Sequence, residues 1–120
     1  MMDYDDNNIF AKILRGDLAC NKIYEDEYAL SFHDINPEAP VHALIIPKGR
    51  YPSMTEFTQR ASDEEIAGLF RAIGKVISKL NLDEKGYRVL TNTGENGGQE
   101  VPHLHFHIFA GKKLGRMLVG

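Results

Sequence analysis

Three histidines alternate with apolar residues in the run His103-Leu104-His105-Phe106-His107-Ile108-Phe109. Side chains on a β-strand point to opposite faces in turn. The spacing therefore predicts that His103, His105 and His107 share one face, while Leu104, Phe106 and Ile108 turn to the core. Three of the chain's five histidines sit here, and hydrophobic packing has no use for a row of imidazoles. Two chemistries suit it. Three ring nitrogens and a water make a catalytic zinc site. Alternatively, a neutral imidazole attacks an electrophilic phosphorus and forms a covalent intermediate, with its neighbours positioning oxygens or moving protons.

The residues ahead of the run favour an anion. Gly94, Gly97 and Gly98 let backbone amides approach a negative group closely. Asn92 and Gln99 add neutral donors. The carboxylates that commonly orient zinc-bound histidines are represented nearby only by Glu95 and Glu100. The glycines match neither a phosphate-binding Walker loop nor a dinucleotide fingerprint. A second cluster is Phe32-His33-Asp34-Ile35. Asp34 at a strand end is suited to accept bonds from two ribose hydroxyls, or to cap a turn. Ile35, with Phe10 and Leu18, makes either an apolar slot for a base or ordinary core. The lone Cys20 reads as a small buried hydrophobe.

The elements that must position these groups are legible in outline. Asn8 is placed to cap a helix over residues 9–14, stopped by Gly16. Strands are expected over 22–25, 28–33, 41–46, 86–92 and 103–109. Residues 48–61 read as a connection with one helical turn near Met54, and 94–98 as a loop. Ser62 and Glu65 form a capping box. Ile66, Leu69, Phe70, Ile73, Ile77 and Leu80 then recur at helical spacing, predicting an amphipathic helix of about five turns. The sum is an α+β domain: an antiparallel meander of about five strands with one long and one short helix. Residues 1–7 are expected to be a disordered tail and 8–120 a single domain.

Composition narrows the function. The 120 residues carry a formal net charge of -3, with 42% hydrophobic and 26% charged residues. That fits one globular domain and lacks the basic face of a general nucleic-acid binder. No signal peptide or membrane span is evident. One cysteine allows no internal disulfide, so a cytoplasmic, reducing setting is expected.

Taken together these residues resemble the histidine triad (HIT) superfamily, whose signature is His-φ-His-φ-His-φ-φ with φ hydrophobic. His103 to Phe109 matches every position. Ile9-Phe10, Lys12-Ile13, Phe32-His33-Asp34-Ile35, Ala39-Pro40, His42, Ile46-Pro47-Lys48 and Gly97-Gly98-Gln99 fall where the Hint branch has them. The resemblance implies a two-fold homodimer that binds purine nucleoside monophosphates and hydrolyses their phosphoramidates, with no metal or other cofactor. It implies His105 as nucleophile, supported through the backbone carbonyl of His103. His107 and Asn92 would contact the phosphate, with His42 linked to the triad. Asp34 would hold the ribose, and Phe10, Leu18 and Ile35 the base. Gln99, Gly98 and Val101 complete the implied nucleotide-binding set. Glu100 departs from the serine of many Hint proteins and adds negative charge beside the leaving group. The tail, Lys112 to Gly120, has no tryptophan and offers Leu114, Met117, Leu118 and Val119 for packing. Rival readings are a non-catalytic nucleotide-binding scaffold and a zinc site of His103, His105 and His107. A dinucleoside polyphosphate hydrolase fits Gly97-Gly98-Gln99 less well.

Overall fold

A short capped helix opens the described chain. In the computed structural model, which describes residues 2–118, α1 spans Ile9–Leu14. The Asn8 side chain accepts the Ala11 N–H at 2.9 Å, satisfying one of the free donors of the first turn. Gly16 leaves the helix at φ +85°, a conformation that an L side chain resists.

Five strands follow: β1 (Lys22–Glu25), β2 (Ala29–His33), β3 (Val41–Pro47), β4 (Arg88–Thr91) and β5 (Phe106–Ala110). All pair antiparallel, in the order β1-β2-β3-β5-β4. The meander therefore holds only through β3. The chain then passes through α2 (Met54–Arg60) and α3 (Asp63–Lys79) to β4 at the far edge, and β5 returns between β3 and β4.

Strand alternation sorts the side chains into two layers. Ala29, Ala43, Ile45, Phe106 and Ile108 pack with Leu69, Ala72, Ile73 and Val76 of α3. The intervening Leu30, Phe32, Leu44 and Ile46 pack with Phe10 of α1. Burying both faces of β3 explains its unbroken apolar sequence. Within β5 the alternation leaves His107 on the α1 side. The long helix forms as expected, with both reciprocal hydrogen bonds of the Ser62–Glu65 capping box in place.

Four expectations need correction. The helix near Met54 runs for seven residues rather than one turn, because Ser53 caps it and Glu56 and Phe57 are buried beneath it. Residues 94–97 form a short helical turn, α4, ended by Gly98 at φ +74°. The last strand begins at Phe106, not His103, since the Leu104 N–H donates to Tyr51 O, outside the ladder. The helices accordingly number four among the described residues. Residues 2–7, expected to be a disordered tail, lie against the domain. The Met2 N–H donates to buried Glu56 at 3.0 Å, and Asp6 pairs with Arg50 at 2.7 Å. At the other end Met117 and Leu118 are exposed, and Val119 lies outside the described residues. No described helix is long and apolar enough to cross a membrane.

Leu104 is fully buried in the α3 layer while its two neighbours face the opposite side. Leu104→Ala should cost about 2–5 kcal/mol, the usual range for truncating a buried leucine. A lowered urea midpoint with an unchanged m-value is the expected result; a midpoint within experimental error of wild type would mean that Leu104 does not anchor the segment.

Candidate active site

The His105 side chain is held by the local backbone. It is 6% exposed, and its Nδ1 lies 2.8 Å from the backbone carbonyl of His103. A carbonyl only accepts, so Nδ1 carries the proton. The lone pair of the neutral ring is then on Nε2, which has no hydrogen-bond partner among the described residues. Phe10 packs its ring against His105 at 5.0 Å between centroids. Burial lowers the His105 pKa against the opposing pull of the His103 carbonyl and of Asp34 and Glu100. The group is thus a neutral imidazole with an available lone pair.

His103 does not face the cleft. Its ring is fully buried, with Nε2 2.9 Å from Pro47 O and Nδ1 2.7 Å from the Tyr4 hydroxyl. The carbonyl fixes the proton on Nε2, so Nδ1 accepts from Tyr4. Burial, partly offset by the Pro47 bond and reinforced by repulsion from His105, pulls its pKa down to about 4. Its contribution to the site is the carbonyl that holds His105.

The same reasoning assigns the second pair. The Glu38 N–H donates to His42 Nδ1 at 3.1 Å, so the His42 proton sits on Nε2. That nitrogen donates to His107 Nδ1 at 2.9 Å. His107 must therefore carry its own proton on Nε2, as a donor toward the cleft. Burial first, then repulsion from His105 and His42, lowers its pKa to about 4. Phe109 stacks on the His107 ring and leans at a tilt on His42.

These groups stand where two compartments of one cleft meet. An apolar compartment of about 450 Å³ is walled by Phe10, Ile13, Leu18, Phe32, Ile35 and Val101. A polar one of about 530 Å³ is lined by Asp34, Glu38, His42, Asn92, Gly98 and Glu100. His105, His107, Asp34 and Glu100 border both. Leu18 is 44% and Ile35 87% exposed, so they form a rim and not core. Asp34 accepts the Asn36 N–H at 2.8 Å and has its other oxygen 3.4 Å from His42 Nε2.

Gln99 is placed differently from its expected role. Its Oε1 accepts the Gly94 N–H, while Nε2 donates to Pro52 O and Val101 O. Both ends of the amide brace the loop, and it does not line the cleft. Sequence reasoning missed Ile13, Cys20, Asn36 and Glu38 as lining residues and Tyr4 as a partner of His103. Ile13 was visible as a member of the α1 apolar face; the others gave no periodic signal.

The hydrogen bonds also bear on metal. His103 has both ring nitrogens engaged, so the three triad histidines do not form a zinc set. Asp34, His42 and His107 offer ligand atoms within 4.8 Å of one another. Yet His42 has its single in-plane lone pair occupied by the Glu38 N–H, which suits a hydrogen-bond relay and not a ligand.

The profile of the HIT domain family matches residues 15–114. The chain belongs to the HIT domain family. It is 58% identical over 115 residues to a 13.2 kDa HIT-like protein of Azospirillum brasilense, covering 96% of this chain and 94% of that one. It is 37% identical over 114 residues to the purine nucleoside phosphoramidase of Escherichia coli K12, covering 94% of each. A HIT family hydrolase from Clostridium thermocellum superposes with a TM-score of 0.86 at 38% identity, covering 96% of this chain and 99% of the other. His42, His103, His105, His107 and Glu38 all fall inside the HIT match, whereas Tyr4 and Phe10 precede it.

The buried imidazoles predict how stability follows pH. His103 and His107 titrate near 6.5 in their ordinary state and near 4 in the fold. Between these values the unfolded chain binds more protons, so stability rises with pH. The contribution is complete above the unfolded pKa and is lost as pH falls toward the folded one. Urea midpoints should drop across that window, and less steeply in His107→Asn; identical slopes would show that His107 is not buried neutral.

Proposed function

We propose that this HIT-family protein hydrolyses purine nucleoside phosphoramidates through a nucleotidyl intermediate on His105. The observation that carries this is the bare Nε2 of a buried, tautomerically fixed imidazole at the junction of an apolar and a polar compartment. The purine base enters between Phe10, Leu18 and Ile35, with Val101 behind it. Asp34 accepts from the ribose hydroxyls. The α-phosphate then lies beside His105, with the His107 Nε2–H, Asn92 and the Gly98 backbone facing it.

In the first step the Nε2 lone pair forms a bond to phosphorus as the P–N bond breaks. The amine departs with a proton taken from solvent. His107 donates to the phosphoryl oxygens where charge accumulates, as preorganised donors do in such steps. In the second step water adds to phosphorus, the His105–phosphorus bond breaks, and the nucleoside monophosphate leaves. Similarity to the Escherichia coli phosphoramidase supports the reaction class. The same reading includes a homodimer in the cytoplasm. Phe70 and Tyr87 remain nearly half exposed on the α3 and β4 side, as a covered interface would require.

Single-turnover hydrolysis of an adenosine phosphoramidate, with and without chelator, tests the mechanism. Wild type should be chelator-resistant and give an acid-quenched protein heavier by one adenylyl group. His105→Ala should lose at least about 10³-fold and show no adduct, as expected for a nucleophile. Tight AMP binding without turnover would instead leave a nucleotide-binding scaffold. Loss to chelator with recovery on zinc would reject the imidazole nucleophile.

The polar compartment also predicts a preference among leaving groups. Asp34, Glu38 and Glu100 line it, and among the described residues no lysine or arginine does. An amine bearing a second, cationic group should depart faster than a matched neutral one. One surface charge several ångströms away is worth on the order of 1 kcal/mol, so Glu100→Gln should reduce the preference by about fivefold. An unchanged ratio of kcat/KM for the two substrates would remove Glu100 from leaving-group recognition.

A further inference from the structure

Behind the cleft, on the side away from the substrate compartments, the N-terminal segment crosses His103. Its ends are fastened independently. The Met2 N–H donates to the buried Glu56 carboxylate, which also receives the Ser53 hydroxyl. Asp6 takes two hydrogen bonds from the Arg50 guanidinium, at 3.1 and 2.7 Å. Between these anchors, Tyr4 lies with its ring edge toward His103 at 5.6 Å and its face under the Arg50 guanidinium at 5.1 Å. The Tyr4 hydroxyl, 2.7 Å from His103 Nδ1, is the partner that nitrogen has among the described residues.

We infer that Tyr4 is a positioning residue for the nucleophile, acting through His103, and that residues 2–7 are a strap that holds it there. His103 is buried with one donor and one lone pair, and both must be satisfied. Pro47 O takes the donor. Tyr4 supplies the hydrogen bond to the lone pair. With both fixed, the ring cannot turn or exchange tautomer, and the backbone carbonyl of the same residue keeps its aim at His105 Nδ1. Burial raises the Tyr4 phenol pKa above its ordinary value, which keeps it protonated and able to donate. Tyr4 borders neither compartment of the cleft, so it has no route to act by touching the nucleotide. It also precedes the HIT match, which begins at residue 15. The kinetic consequence rests on the reading of His105 as nucleophile; the geometric one does not.

Tyr4→Phe keeps the ring and removes only the hydroxyl. Its kcat for adenosine phosphoramidate should fall by about tenfold, because a small misplacement of a reacting group is costly. The AMP dissociation constant should stay within about twofold, since no cleft contact is lost. Nitrogen-15 spectra of the imidazoles give a readout that stability alone would not move. Wild-type His105 should show a protonated Nδ1 and a bare Nε2; Tyr4→Phe should show the two nitrogens averaging toward a tautomer mixture. An unchanged kcat and unchanged His105 nitrogens, with only a lower melting temperature, would overturn the inference. If Tyr4→Phe fails to fold, Arg50→Gln removes the anchor of Asp6 and the cation over Tyr4 while keeping the hydroxyl. It should lower kcat by a smaller factor at constant AMP affinity, and no fall there overturns the strap. If wild type itself does not turn over, the functional reading fails, while the nitrogen spectra still decide the role of Tyr4.

Discussion

The hydrogen bond from His105 Nδ1 to the carbonyl of His103 organises everything around it. An imidazole in water exchanges its proton between two nitrogens and offers a nucleophilic lone pair on either. Bonding one nitrogen to a group that can only accept removes the choice. The carbonyl belongs to a residue two positions earlier, so the restraint comes from the local backbone and not from a distant side chain. It is only as precise as the placement of His103. That explains why His103 is packed on all sides, fixed by Pro47 and Tyr4, and excluded from the cleft.

Neutrality is the second constraint. His42, His103, His105 and His107 all have lowered pKa values, burial being the largest cause in each. On the proposed mechanism, a protonated triad would bind phosphate more strongly but would have no lone pair with which to attack it. The cleft therefore forgoes fixed cations and relies on oriented N–H donors, whose directions are set by the Glu38–His42–His107 chain. Carboxylates at its edge, Asp34, Glu38 and Glu100, are tolerable under this scheme. Asp34 and Glu100 pull the His105 pKa upward, and Glu38 that of His42, without overcoming the effect of burial.

Much of this was legible in the sequence, and the reasons for the remainder are physical. Period-two alternation correctly separated His107 from Phe106 and Ile108, and helical spacing with a capping box correctly gave α3. Both are patterns in which each residue's burial repeats along one element. The ends of elements were less legible, because they are decided by single hydrogen bonds to remote backbone, such as Leu104 to Tyr51. The α2 helix was underread because its sequence is polar and its burial is carried by Glu56 and Phe57 alone. Gln99 has the chemistry of a phosphate donor, yet its amide is committed to three backbone groups that no local pattern reveals. Tyr4 was hidden for the same reason: its partner lies 99 residues away.

The late start of β5 follows from the chemistry as much as from the packing. In a sheet ladder, the carbonyls of successive residues are directed at neighbouring strands. Had the strand begun at His103, that residue's carbonyl would be shared with a neighbouring strand, and His105 Nδ1 would compete for it. Instead the Leu104 N–H goes to Tyr51, the His105 carbonyl accepts from the Thr91 side chain at 2.7 Å, and regular pairing resumes at Phe106. The backbone is thereby released from the ladder at the residue where a side chain needs it, while Leu104 keeps the segment anchored in the α3 layer. The proposed nucleophile, His105, sits at the last point where the chain is held rigidly enough to aim an imidazole and is still free enough to spare a carbonyl.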